Sequence, residues 1–173
     1  SIIISVLINE PPKDKIKLNE SIEVATVQPK ISLKSTSSVL LKESSDDLCN
    51  VSVLLVEDNL VNQLVAKELL MSLKATVTIA DNGQHALDLL DKIAVDVVLM
   101  DIQMPIMDGL TATIAIRKQK KYQHLPIIAM TAHAREEDKQ RSLAAGMNLH
   151  MSKPVTAKLL LMSILQALQL DLA

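Results

Sequence analysis

Five residues have types and spacings that could do chemistry together: Glu57, Asp58, Asp101, Thr131 and Lys153. Each follows closely on a short apolar run, at 53–56, 95–100, 126–130 and 149–151. Three carboxylates brought close repel one another unless a cation intervenes. Hard oxygen ligands at a partly open site favour Mg²⁺, with Mn²⁺ as a substitute, and such a site often shares its ion with a phosphate. Asp101 suits a carboxylate nucleophile that forms an aspartyl phosphate. Thr131 suits a hydroxyl donor to phosphoryl oxygens, and Lys153 suits a point cation that neutralises them. Phosphoryl transfer needs mainly positioning and charge neutralisation, and this set supplies both.

The elements that must position these residues follow from the apolar pattern after residue 51. Runs at 53–56, 77–80, 95–100, 126–130 and 149–151 are expected to be strands, and their continuous apolar character implies cover on both faces. Asn59 can cap a helix in which Val61, Leu64, Val65, Leu69 and Leu73 keep helical spacing. A turn at Asp81-Asn82-Gly83 precedes a second helix with Ala86, Leu87, Leu90 and Ile93 expected to face inward. Further helices are expected from 109 to about 118, over 135–145 up to Gly146 as a left-handed cap, and from 156 to about 170. Strict alternation gives an α/β architecture, (βα)5, with a doubly wound parallel sheet. In such sheets, sites collect at the carboxyl ends of the strands, near the switch in strand order.

The chain has 173 residues and a formal net charge of −2. No basic stripe suggests a nucleic-acid partner, and one tyrosine without Phe or Trp leaves no base-stacking platform. Cys49 is the single cysteine, which excludes an internal disulfide framework and fits a cytoplasmic setting. The apolar run at 2–8 is too short to span a bilayer, and no membrane contact is expected. Residues 1–50 hold 9 of the 14 serines and no glycine. They are expected to be an N-terminal extension or the end of an upstream domain, with β-like runs at 2–8 and 22–27 and a linker at 35–45. The remainder, 51–173, is expected to be the folded domain.

Four stretches carry a family resemblance: Val53-Leu-Leu-Val-Glu-Asp-Asn59, Val98-Leu-Met-Asp-Ile-Gln-Met-Pro-Ile-Met-Asp-Gly109, Ile128-Ala-Met-Thr-Ala-His-Ala134 and Met151-Ser-Lys-Pro154. Together they resemble the receiver domain of two-component response regulators over about 51–170, in wording most like receivers attached to hybrid sensor histidine kinases. The resemblance implies a flavodoxin-like fold and a phosphoacceptor role in a His–Asp phosphorelay, with Asp101 phosphorylated. It implies Mg²⁺ held by Glu57, Asp58, Asp101 and the main-chain carbonyl of Gln103. Thr131 matches the switch hydroxyl, Lys153 the phosphate-binding lysine, and the Lys153–Pro154 bond is expected to be cis. The receiver is expected to catalyse its own phosphorylation and dephosphorylation. Implied partners are a histidine kinase or a histidine phosphotransfer protein, with a homodimer as a further option, and the parent protein can be membrane-anchored.

Two positions depart from the family pattern. His150 stands where the family often has Tyr or Phe, three residues before the lysine; a switch role coupled to Thr131 would there fall to an imidazole, whose reference pKa near 6.5 adds pH sensitivity. The acidic pair is Glu-Asp rather than Asp-Asp. His133, two residues past Thr131, is expected to be a plain helix-start residue, with modulation of hydrolysis from the site rim as the other option. His85 and His124 have no metal-ligand spacing. The alternative reading is a pseudo-receiver that only binds partners, against which the intact set of five residues stands. A haloacid-dehalogenase-type phosphatase requires Asp-x-Asp, and Gln103 occupies the second position. The last helix carries more apolar residues than one core-facing stripe needs, among them Leu159, Leu160, Leu161, Met162, Leu165 and Leu168. That surplus is expected either to sit against residues 1–50 or to help dock a helical partner, alongside the first helix.

Overall fold

A computed structural model describes residues 47–132 and 135–170. The expected strands at 2–8 and 22–27, the linker at 35–45 and His133 lie outside the described residues. Five strands alternate with five helices: β1 (Ser52–Val56), α1 (Leu60–Ser72), β2 (Thr76–Ala80), α2 (Gly83–Leu90), β3 (Val97–Asp101), α3 (Gly109–Lys118), β4 (Ile127–Thr131), α4 (Glu136–Ala145), β5 (Leu149–Ser152) and α5 (Ala157–Leu170). All pairs are parallel and the order is β2-β1-β3-β4-β5, the flavodoxin-like (βα)5 arrangement. The order reverses between β1 and β3, so the carboxyl ends of these two strands flank the crevice where such sheets bind ligands.

Alternation along each strand divides the core into two layers. Val53, Leu55, Val97, Leu99, Ile128, Met130 and Met151 pack on one side with Leu70 of α1 and Leu160 and Ile164 of α5. Leu54, Val56, Val98, Met100, Ile127 and Ala129 pack on the other with Ala86 and Leu90 of α2 and Ala112 and Ile116 of α3. Leu48 precedes the first apolar run yet is buried in the first layer, with its N–H donating to the Leu73 carbonyl at 2.6 Å.

Caps set the helix starts. Asn59 accepts from the N–H groups of Val61 and Asn62, Asn82 from His85, and Asp108 from Thr111. Gly146 ends α4 at φ 101, as its sequence position leads one to expect. Arg117 of α3 ties that end down, donating to the carbonyls of Gly146 and Tyr122 and to Asn148 Oδ1 at 2.7–2.9 Å. The other end of α4 has no side-chain cap, and Ser142 is the only buried residue of the helix.

The apolar stripe of α1 is split, with Leu69 and Leu73 against the first core layer, and the apolar residues of α5 turn mostly inward. In α1 the inward residues are Gln63, Ala66 and Leu70, while Val61, Leu64 and Val65 face solvent. In α5, Leu160 is fully buried and Leu159, Leu161, Leu165 and Leu168 pack against the first core layer. The apolar excess of α5 is therefore spent mostly inside, with Met162 left exposed. Ile93 lies past the end of α2, and β3 starts at Val97 rather than at 95.

Candidate functional site

The carboxyl ends of β1 and β3 bring three acids together. Glu57 continues β1 by one residue, its N–H donating to the Ala80 carbonyl at 3.0 Å, and its side chain is only 2% exposed. Asp58 follows it in an exposed position. Asp101 is the last residue of β3 and is buried. One carboxylate oxygen from each of Glu57, Asp58 and Asp101 lies within 4.8 Å of the others, the only such cluster of metal-ligating groups among the described residues. His85 and His124 are not part of it.

Lys153 enters this acidic centre from the loop after β5. Its N–H donates to the Thr131 carbonyl at 2.7 Å, which fixes the backbone beside the end of β4. Its Nζ donates to Glu57 Oε2 at 2.5 Å and to Asp101 Oδ2 at 2.6 Å. Burial acts to lower the Lys153 pKa, but the hydrogen bonds and charges of Asp101 and Glu57 outweigh it and hold the amine above its ordinary value. The Lys153–Pro154 peptide bond is cis.

The loop after β3 is held close to the same point. Gln103 N–H donates to Asp101 Oδ1 at 3.2 Å. Gly109 N–H donates to the Ile102 carbonyl at 3.0 Å, and a Cβ at Gly109 would stand 2.0 Å from the Asp101 carbonyl oxygen. Only glycine allows α3 to start this close to the strand end. Ile106, on the same loop, is 85% exposed with φ 69. Thr131 ends β4 and is buried, in register with Ser152. A cavity of about 650 Å³ opens beside the acids, lined in part by Asp58, Gln103, Met104, Thr111, Thr131 and Arg141. It gives room for a reactant to approach Thr131 and Asp58 from solvent.

His150 lies away from the acidic cluster. It alternates with Leu149 and Met151 on β5 and lines a groove with Arg135 and with Glu136 and Lys139 of α4. Both ring nitrogens are buried and make no hydrogen bond among the described residues. Burial lowers its pKa, opposed by Asp138 and Glu136 and aided by Lys139.

Two residues not foreseen as part of the site are Asn62 and Gln63 of α1. Asn62 Nδ2 donates to Glu57 Oε1 at 2.9 Å. Gln63 is buried, and its Nε2 donates to the Glu57 carbonyl at 2.6 Å and to Asp81 Oδ1 at 2.9 Å. The available signal was a pair of adjacent amides interrupting the apolar run Leu60-Val61-…-Leu64-Val65 just after a capping Asn.

The arrangement has known counterparts. The family profile described as response regulator receiver domain matches residues 53–165. The hybrid signal transduction histidine kinase I of Dictyostelium discoideum is 42% identical over 137 residues, covering 75% of this chain and 8% of that kinase. The receiver domain of sensor histidine kinase PA1611 from Pseudomonas aeruginosa PAO1, crystallised with a magnesium ion coordinated in the active-site cleft, is 38% identical with a TM-score of 0.65, covering 69% of this chain and 98% of that one. A receiver domain of the Saccharomyces cerevisiae response regulator Ssk1, in complex with the histidine phosphotransfer signalling protein Ypd1, is 29% identical with a TM-score of 0.65, covering 70% and 90%. This chain thus spans only a small part of the curated kinase it matches. No described helix is long and apolar enough to cross a membrane.

Proposed function

The chain belongs to the response regulator receiver domain family, and from that premise we propose that it takes a phosphoryl group on Asp101 and carries it within a His–Asp phosphorelay. Its cluster of Glu57, Asp58 and Asp101 is the kind found in receivers that accept phosphoryl groups. The receiver is assigned to 51–173, with 1–50 as an extension, in a cytoplasmic part of a hybrid histidine kinase.

The observation that carries the reading is the position of the Lys153 ammonium, 2.5 and 2.6 Å from two buried carboxylates at the switch in strand order. With the exposed Asp58, three carboxylates face a single ammonium, and that excess of acidic oxygens suits a divalent cation. Glu57, Asp58, Asp101 and the Gln103 carbonyl would hold Mg²⁺ or Mn²⁺. When bound, that ion neutralises charge on the phosphoryl oxygens. Asp101 Oδ attacks phosphorus of a phosphohistidine. The P–N bond breaks, its electron pair stays on the imidazole nitrogen of the donor, and an acyl phosphate forms. Lys153 then exchanges one carboxylate contact for a phosphoryl oxygen, and the Thr131 hydroxyl donates to another. Both contacts exist only after transfer, so they couple the modification to the ends of β4 and β5. His150 is the second switch position, on the face of β5 toward α4.

The donor is a histidine kinase or a histidine phosphotransfer protein, docked on α1. That helix leaves Leu60, Val61, Leu64 and Val65 exposed by 77, 68, 59 and 48%, beside Glu57. An apolar ridge of this kind suits a partner helix.

The test is labelling with acetyl phosphate, read by mass spectrometry, and then with a phosphorylated phosphotransfer protein. Asp101→Asn is expected to abolish both, since an amide is no nucleophile toward phosphorus, and excess EDTA is expected to suppress both. Leu64→Asp is expected to slow the protein donor at least tenfold and leave acetyl phosphate labelling unchanged. Normal labelling of Asp101→Asn refutes the acceptor. A wild-type chain that takes no phosphoryl group from either donor is a partner-binding module instead.

A further inference from the structure

Glu57 accepts three hydrogen bonds. Lys153 takes Oε2 at 2.5 Å, Asn62 Nδ2 takes Oε1 at 2.9 Å, and Gln63 Nε2 takes the main-chain carbonyl at 2.6 Å. Two of the three come from α1, within five and six residues of Glu57 in sequence. Lys153 takes one oxygen each of Glu57 and Asp101, whereas Asn62 and Gln63 take the other carboxylate oxygen and the main-chain carbonyl of Glu57.

A carboxylate turns readily about its last torsion, which is broad and two-fold. A hydrogen bond to one oxygen fixes which edge faces the centre. With Oε1 on Asn62, Oε2 is the oxygen turned to the acidic centre, where it accepts from Lys153. Asn62 is itself anchored, because its N–H donates to the Asn59 cap. It is also exposed, and it sits among Val61, Leu64 and Val65 on the outward face of α1. A groove between α1 and the loop after β5, lined by Asn62, Val65, Pro154 and Val155, has Glu57 and Lys153 at its floor.

We propose that Asn62 is a positioning residue for the divalent-cation site: its amide sets the rotation of the Glu57 carboxylate and connects the exposed face of α1 to the acidic centre. The proposal rests on the receiver reading of that centre. Partners of a metal ligand typically change metal affinity by 10–100-fold when removed. The exposed position of Asn62 puts its share near the low end, about tenfold.

The experiment is a Mg²⁺ titration followed by amide NMR on four proteins: wild type, Asn62→Leu, Glu57→Gln and the double variant. Leucine is close to Asn in shape and a better helix former, so the fold is retained. Asn62→Leu is expected to weaken Mg²⁺ binding about tenfold. In the Glu57→Gln background the same change is expected to alter affinity less than about twofold, because the single acceptor oxygen of glutamine cannot serve Asn62 and the ion at once. The Asn62 side-chain amide resonances of wild type should shift as Mg²⁺ binds. Wild-type affinity in Asn62→Leu overturns the proposal and leaves the receiver reading intact. Equal weakening in both backgrounds also overturns it, since Asn62 would then act without Glu57. Absence of Mg²⁺ binding by wild type overturns both the proposal and the metal site beneath it, whereas loss of the acceptor reading shows instead in acetyl phosphate labelling.

Discussion

Lys153→Met removes the ammonium and keeps a side chain of similar length. In wild type, that ammonium touches two carboxylates whose side chains are 2% and 9% exposed, and is itself 18% exposed. Opposite unit charges about 4 Å apart attract by about 4 kcal/mol at an effective dielectric of about 20. Two such attractions give about 8 kcal/mol before the cost of burying the ammonium, several kcal/mol, is returned. The net loss is about 3–5 kcal/mol, the range found when one partner of a buried pair is deleted. Urea unfolding at pH 7 in EDTA, followed by circular dichroism, measures it. Mg²⁺ should then stabilise the variant more than wild type, since the ion meets no competing ammonium; at one hundred times the dissociation constant the gain is about 2.7 kcal/mol. The Lys153 pKa is raised, so its contribution is complete below the ordinary value of 10.5 and is lost as pH rises through the higher folded value. The gap between variant and wild type should hold from pH 7 to 9 and close in strong alkali. A variant within about 0.5 kcal/mol of wild type, the ordinary scatter for surface changes, or one that gains no more from Mg²⁺, refutes the reasoning.

Gly109→Ala places a methyl 2.0 Å from the Asp101 carbonyl oxygen; the backbone must shift, and urea unfolding should show a loss of about 2–3 kcal/mol. Ile106→Gly relieves a β-branched residue at φ 69, a strain of about 1–2 kcal/mol, against about 0.5–1 kcal/mol of added chain freedom. Thermal unfolding of Ile106→Gly should therefore match or exceed wild type, although a large apolar side chain is removed. His150 has a lowered pKa, so its contribution is complete above the unfolded value near 6.5 and is lost as pH falls toward and below the folded value. Wild-type stability should thus drop as pH falls below about 6.5, and His150→Phe should flatten that drop.

The strands were legible because parallel strands covered on both faces write themselves as unbroken apolar runs, and the strand ends then pointed to Glu57, Asp58, Asp101, Thr131 and Lys153. The inward face of α1 was not legible. Helical spacing marks a stripe of Val61, Leu64 and Val65 but cannot say which stripe meets the sheet, and here the buried stripe contains a polar Gln63 and a small Ala66. Gln63 is buried because two acceptors, the Glu57 carbonyl and Asp81, await it, and partners that distant leave no periodic trace. In α5 the error ran the other way: a rich apolar sequence suggested a surface, whereas α1 and the sheet leave space that absorbs Leu159, Leu161, Leu165 and Leu168. Arg117 was silent for the same reason as Gln63, since its three acceptors lie at Tyr122, Gly146 and Asn148.

The unequal ends of α4 make that helix a lever with a fixed fulcrum. Arg117 and the Gly146 cap pin one end, while one buried serine is all that the rest of the helix sets in the core. Little apolar area must leave its packing for the uncapped end to swing, so the swing requires few kcal/mol. A modification at the sheet edge supplies energy only as the difference in its contacts with two states. An element that moves at small cost lets that modest difference convert most of the population. If the chain is the phosphoacceptor proposed above, stability withheld from α4 would make it responsive, and stitching its first turn to β5 would hold the population in one state.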